Sequence, residues 1–492
     1  MKDPAAERTQ RTPRTQRKFL KFKWIRCSVS IVSLVSCWAV GGSILAQSID
    51  WTSINDEATR LLEQYVRIDS SNPPGNTRAT ADFLAGVLGR EQIAVQRFEP
   101  APGKSIILAR LPAAVSPPAG KPIVLLHHMD VVPVDRQQWK VDPFAGVVQS
   151  GEMWGRGALD MKGLGVVQLM AFLTLRRQSL PLARDVVLLA NPDEEIGGES
   201  GARWMLTNHY RELDPEFILD EGGFGSPDLF ATGKLAYGIA VAEKKIIWLR
   251  VRATGEAGHG SQPNDRNPND RLVRALARLQ PDGGTISQGG AGSRGGASSA
   301  PTADGPGAAG DLIRVMRARV GAFAANKFTN AVQHSTIAVT SIRSGVGDPP
   351  KVNVIPSVAE ATLDCRLLPG ITRAQWLAEI RRQLGDPGLE IEVTYESDDP
   401  VVTPYNTSLY RNLEAAIRRK HPEAIVTPIL IPYGTDGSLF RTRGVNTYGI
   451  FPGILPADSA NSMHGDAEHV PLSAVHEAIQ ILYETIRDTA AR

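Results

Sequence analysis

The chain carries several short runs that are apolar at every position and then stop at imidazole or carboxylate side chains. Residues 123–130 read Ile-Val-Leu-Leu-His-His-Met-Asp, residues 185–195 read Asp-Val-Val-Leu-Leu-Ala-Asn-Pro-Asp-Glu-Glu, and residues 217–221 read Phe-Ile-Leu-Asp-Glu. A run without polar alternation suits a parallel strand covered on both faces. Open α/β sheets place their sites at the carboxyl ends of such strands. Helical patterns separate the runs: one begins near Trp51, one covers Thr80 to Leu88, and the clearest covers Met161 to Leu180. This alternation, continuing to about residue 244, predicts an α/β fold with a doubly wound, mostly parallel sheet.

The texture changes at Lys245. Ile246 to Ala253 reads as a strand, Asp270 to Leu279 as a helix, Thr336 to Ile342 and Ala359 to Leu367 as strands, Thr372 to Leu384 as a helix and Leu389 to Tyr395 as a strand. The order β-α-β-β-α-β is a split βαβ, ferredoxin-like α+β unit. It is expected over 245–399 as an insertion between two parts of the larger domain, 49–244 and 400–492, the second opening with a helix at Ser408 to Lys420. The tract 281–310 is Gly/Ala/Ser-rich and lacks aromatic residues. It reads as a disordered surface insertion without chemistry of its own.

Composition adds one feature. The net charge is only +2 over 492 residues, yet residues 1–26 hold nine Lys/Arg against two Asp/Glu. The basic excess is local, and no basic stripe with interleaved aromatics marks the body for nucleic acid. The mostly apolar stretch from Cys27 to Ala46 follows, so residues 1–48 read as an export signal or membrane anchor. A cleaved signal, a lipid anchor at Leu34-Val-Ser-Cys37 and a single span all remain open. Cys27 and Cys37 both fall in this segment, leaving Cys365 alone in the body and no intrachain disulfide there.

The chemistry lies at the strand ends. His128 and Asp130 flank Met129 and point the same way along an extended chain, so Asp130 is placed to hold the far nitrogen of the imidazole. Trp154-Gly-Arg-Gly-Ala-Leu-Asp160 puts a carboxylate on a glycine-rich turn ahead of a helix, and Ser462-Met-His464-Gly supplies a late imidazole. His128, Asp160, Glu195, Glu221 and His464 suffice for two divalent ions if Asp160 bridges them, with positions left open for water. Ligand chemistry favours zinc, with cobalt or manganese also suited. Glu194 and Glu195 are neighbours, which frees one of them to move protons. Asp220 and Glu221 compete for one ligand position.

Taken together, these motifs resemble the metal-dependent exopeptidase and deacylase family of aminoacylase, carboxypeptidase G, succinyl-diaminopimelate desuccinylase and carnosine dipeptidase. The resemblance spans about residues 51 to 490. It implies that a metal-bound hydroxide cleaves an amide or peptide bond next to a free carboxylate, in a small peptide or N-acyl amino acid, with Glu194 as general base and Asp130 as helper carboxylate. It also implies that His259, in Gly258-His-Gly-Ser, is the lid histidine that stabilises the oxyanion, from the partner subunit in dimeric members. Asn353, Arg366 and Gly437 resemble substrate-carboxylate contacts. Asn191-Pro192 and the 281–310 tract depart from the family pattern without touching a ligand. A different class stays open, an exported binding protein that keeps the metal site without hydrolysis.

Overall fold

A computed structural model describes residues 48–279 and 308–491. The proposed export segment and nearly all of the 281–310 tract lie outside those residues. Among the described residues, no helix is long and apolar enough to cross a membrane.

The apolar runs become the centre of an eight-stranded sheet. Ile123–His128 is buried at every position and runs parallel to Val186–Asn191 on one side and Phe217–Ser226 on the other. Asn446–Ile454 pairs parallel with Phe217–Ser226, and Ile425–Ile431 pairs parallel with Ala236–Glu243. The sheet is not parallel throughout. Val95–Ala101 and Lys104–Leu111 form an antiparallel hairpin at one edge, and Ala236–Glu243 meets Asn446–Ile454 antiparallel. Helices cover both faces, as the uninterrupted apolar strands require. Lys162–Gln178 is the most enclosed, with all residues from Lys162 to Leu175 buried.

Lys245–Thr254, Thr336–Ser344, Val358–Leu367 and Glu390–Glu396 form a second, wholly antiparallel sheet with Val358–Leu367 and Lys245–Thr254 in the middle. Val358–Leu367 alternates strictly between buried and partly open positions. Its inner residues Ala359, Ala361, Leu363 and Cys365 pack with Leu272 of the helix Pro268–Leu276 and with Trp376 and Ile380 of the helix Arg373–Leu384. The opposite face is left for the cavity described below.

One helix departs from the linear order. Ala308–Val320, whose first three residues fall in the tract expected to be disordered, buries Leu312, Ile313, Met316 and Val320 in the core of the large sheet. Arg319 Nη1 donates to the Val426 carbonyl at 2.8 Å, tying this helix to the edge strand Ile425–Ile431. Its apolar stripe faces that strand and the core beneath it.

Candidate metal centre

The strand ends of the large sheet converge on one carboxylate. Asp160 Oδ1 lies 3.1 Å from His128 Nε2, and Asp160 Oδ2 lies 3.0 Å from His464 Nε2. Each imidazole has a second carboxylate: Glu221 Oε1 at 3.5 Å from His128 Nε2, and Glu195 Oε2 at 3.5 Å from His464 Nε2. This is a symmetric bridge. Ligand atoms of His128, Asp160 and Glu195 lie within 4.8 Å of one another, as do those of His128, Glu194 and Glu221. Strand alternation turns the neighbouring carboxylates Asp220 and Glu221 apart. Glu221 faces His128, whereas Asp220 turns away and its Oδ2 accepts from the Gly437 N–H at 2.7 Å.

Supporting contacts fix the ligands. His128 Nδ1 sits 2.9 Å from the Asp130 carbonyl, while the nearer Asp130 carboxylate oxygen is 3.7 Å away, so the main chain of Asp130, rather than its side chain, orients the ring. The Asp130 carboxylate instead accepts from Asn72 Nδ2 at 2.8 Å and from the Glu195 N–H at 3.4 Å. Asp160 is held through its backbone: Glu468 Oε1 accepts the Leu159 and Asp160 N–H groups at 2.9 and 3.1 Å. Arg156 pairs with the other Glu468 oxygen at 2.5 Å and also donates to the His464 carbonyl at 3.3 Å. The buried Arg156–Glu468 pair thus ties the glycine-rich turn to the loop carrying His464.

The electrostatics suit cations. Burial pushes Glu194 well above the usual carboxylate range, and burial together with Asp160 pushes Glu221 up to about 8. Burial alone would lower His464, but Asp160 and Glu195 outweigh it and raise it to about 11. Glu195 Oε1 is buried without a hydrogen-bond partner. Two imidazoles and four crowded carboxylates, one with an orphaned oxygen, form a donor set that divalent ions would satisfy and that protons satisfy poorly.

The sequence of residues 124–488 matches the family described as Peptidase family M20/M25/M40. The chain belongs to this family. Human N-fatty-acyl-amino acid synthase/hydrolase PM20D1 is 28% identical over 387 residues, covering 76% of this chain and 75% of the relative. Human aminoacylase-1 is 24% identical over 398 residues, covering 80% and 86%. The crystal structure of human carnosine dipeptidase 1 superposes with a TM-score of 0.67 at 18% identity, covering 89% and 97%, which shows a shared fold.

In this family member the cluster of candidate ligands forms part of the wall of a cavity of about 380 Å³ that also takes in Arg366 and the aromatic residues Trp248 and Tyr395 of the small sheet. Register explains their meeting: Ile246 opposes Arg366, and Trp248 opposes both Asp364 and Tyr395, all on the open face. The other residues read as substrate contacts lie elsewhere. His259 is exposed on the two-residue strand Gly258–His259, opposite Val354, and its Nδ1 accepts from Ser261. Asn353 is next to that pairing, with its carbonyl accepting the Gly260 N–H at 2.7 Å. Neither lines the cavity. Gly437 is likewise behind the wall, where an added Cβ would come within 2.7 Å of Asp220 Oδ2; its neighbours Thr435, Asp436 and Ser438 line the cavity instead.

Sequence reasoning missed Asn72, Arg156, Glu468, Lys244, Trp248 and Tyr395. Glu468 left a trace, being a carboxylate four residues after the His464 imidazole. The others sit in ordinary turns and strands whose chemistry depends on what folds against them.

Proposed function

We propose that this chain is a two-metal hydrolase that cleaves the amide bond of a dipeptide or an N-acyl amino acid. Asp160, with one carboxylate oxygen facing each imidazole, is the observation that carries the reading. His128 and Glu221 would hold one ion, His464 and Glu195 the other, and Asp160 both. Such ions, when bound, acidify water and polarise a carbonyl. Zinc fits the nitrogen and oxygen donors, and cobalt or manganese would also be accommodated.

The chain's own residues supply the proton transfers. Glu194 is next to the ligands and, as general base, takes a proton from water as the oxygen adds to the amide carbon. It then returns that proton to the nitrogen as the C–N bond breaks, releasing a carboxylic acid and an amine. Arg366 faces the cluster across the cavity, and its planar fork suits a substrate carboxylate. Trp248 and Tyr395, 4.7 Å apart between ring centres, offer an apolar surface for an acyl group or side chain. His259 can reach the reacting carbonyl only by movement of the small sheet or from a second copy of the chain. Relatives named as an N-fatty-acyl-amino acid hydrolase and an aminoacylase support this substrate class.

The test is hydrolysis of a panel of dipeptides and N-acyl amino acids by the full chain, with and without added zinc, cobalt or manganese. Metal-dependent release of a free amino acid is expected. A metal-loaded protein that binds these compounds and releases nothing would instead be a binding protein.

A further inference from the structure

Lys244 occupies the junction between the Ala236–Glu243 strand of the large sheet and the Lys245–Thr254 strand of the small one. The residue is only 2% exposed, yet its side chain lines the cavity. Its Nζ meets Thr336 Oγ1 at 3.3 Å, and among the described residues it has no ion-pair partner. The other cations of the cavity are compensated: Arg441 pairs with Glu243, His464 with Asp160, and Arg366 Nε with Asp364 at 2.9 Å. Asp364 is occupied a second time by Trp248 Nε1 at 3.0 Å. Arg366 therefore keeps both Nη groups free, and Thr336, which anchors Lys244, is its direct cross-strand neighbour. Two cations thus meet at one corner with a single, fully engaged carboxylate between them.

An ammonium withdrawn from water without a counter-charge is costly and calls for an anion. Burial, and then Arg366, lower the Lys244 amine to about 7, a state that a bound anion would reverse. We propose that Lys244 determines specificity, forming with Arg366 a two-cation seat for a free carboxylate, so that an acid is taken and the matching carboxamide is refused. Arg366 supplies the bidentate fork and Lys244 a point charge at its side. That this carboxylate belongs to the substrate of an amide cleavage rests on the hydrolase reading; the seat itself does not.

The probes are N-acetyl-L-leucine and N-acetyl-L-leucinamide, tested for turnover and, by calorimetry, for equilibrium binding to the metal-loaded full chain. The wild type should prefer the acid. In Lys244→Met, KM and Kd for the acid should rise roughly 10- to 100-fold, the range of a lost charge-assisted hydrogen bond, while values for the amide stay within about twofold and metal content is unchanged. Lys244→Arg, which keeps the charge, should retain most of the preference, and Lys244→Gln replaces the Met variant if that one does not fold. A folded Met or Gln variant with the wild-type preference overturns the seat, as does a wild type that binds acid and amide equally. Turnover with the preference intact in Lys244→Met leaves the hydrolase and removes the seat. No turnover, with an acid preference that Lys244→Met abolishes, leaves the seat and removes the hydrolase.

Discussion

The two sides of the cavity are built on different principles. On the large sheet, the candidate ligands stand at the ends of buried strands or on turns locked by buried partners, as Glu468 locks the Asp160 backbone and Asn72 holds Asp130. On the small sheet, Arg366, Trp248 and Tyr395 project from the open face of alternating strands and are only partly buried. The first arrangement restrains the candidate ligands through buried hydrogen bonds, as orientation toward a metal requires. The second leaves its side chains more room to adapt. Changes on the large-sheet side should act on kcat and metal content, and those on the small-sheet side on KM.

The largest effect expected is from Asp160→Asn, which weakens the bridge and should remove measurable turnover together with much of the bound metal, read by elemental analysis of the purified protein. Glu194→Gln should lower kcat by about 10²–10⁴, the usual worth of a general base, with both metals retained. Full turnover in that variant would move the base elsewhere in the cluster. His259→Ala is the change that could break the division: a loss of about 10²–10³ in kcat, the size of one oxyanion donor, would show that an exposed residue near the small sheet takes part in the chemistry. Mixing it with Glu194→Gln should then restore activity if two copies share sites. Glu468→Gln should weaken metal binding by about 10- to 100-fold in a competitive chelator titration, as for other partners that orient ligands. Smallest is Arg252→Ala, which removes an exposed pair with Glu360; the midpoint of denaturant melts should barely move, with KM and kcat unchanged.

The large-sheet side was the more legible in sequence. Uninterrupted apolar runs ending in His128, Glu195 and Glu221 identify buried parallel strands and the end where their site must lie, because only a strand covered on both faces dispenses with polar alternation. The helix Ser408–Lys420 and the alternating strands of the small sheet were equally readable, since their periods differ. Asp160 could be nominated as a candidate bridge from its glycine-rich turn and from its place between the strand-end residues before and after it.

What remained was decided by the tertiary structure. Adjacent Asp220 and Glu221 have different surroundings because Glu221 faces His128 and Asp220 the Gly437 N–H, 217 positions away in the chain. The helix Ala308–Val320 joined the large sheet because its apolar stripe found an open strand there, and amphipathicity does not name its partner. His259 and Asn353, which match motifs of the family, lie outside the cavity, because a motif specifies a local turn and not which way a whole sheet faces. Lys244 looks like one of two ordinary lysines in a Glu-Lys-Lys run until the sheet order sets it beside Arg366. Local periodicity determines which face of each element is buried, whereas the long-range pairing of those faces determines which charges meet.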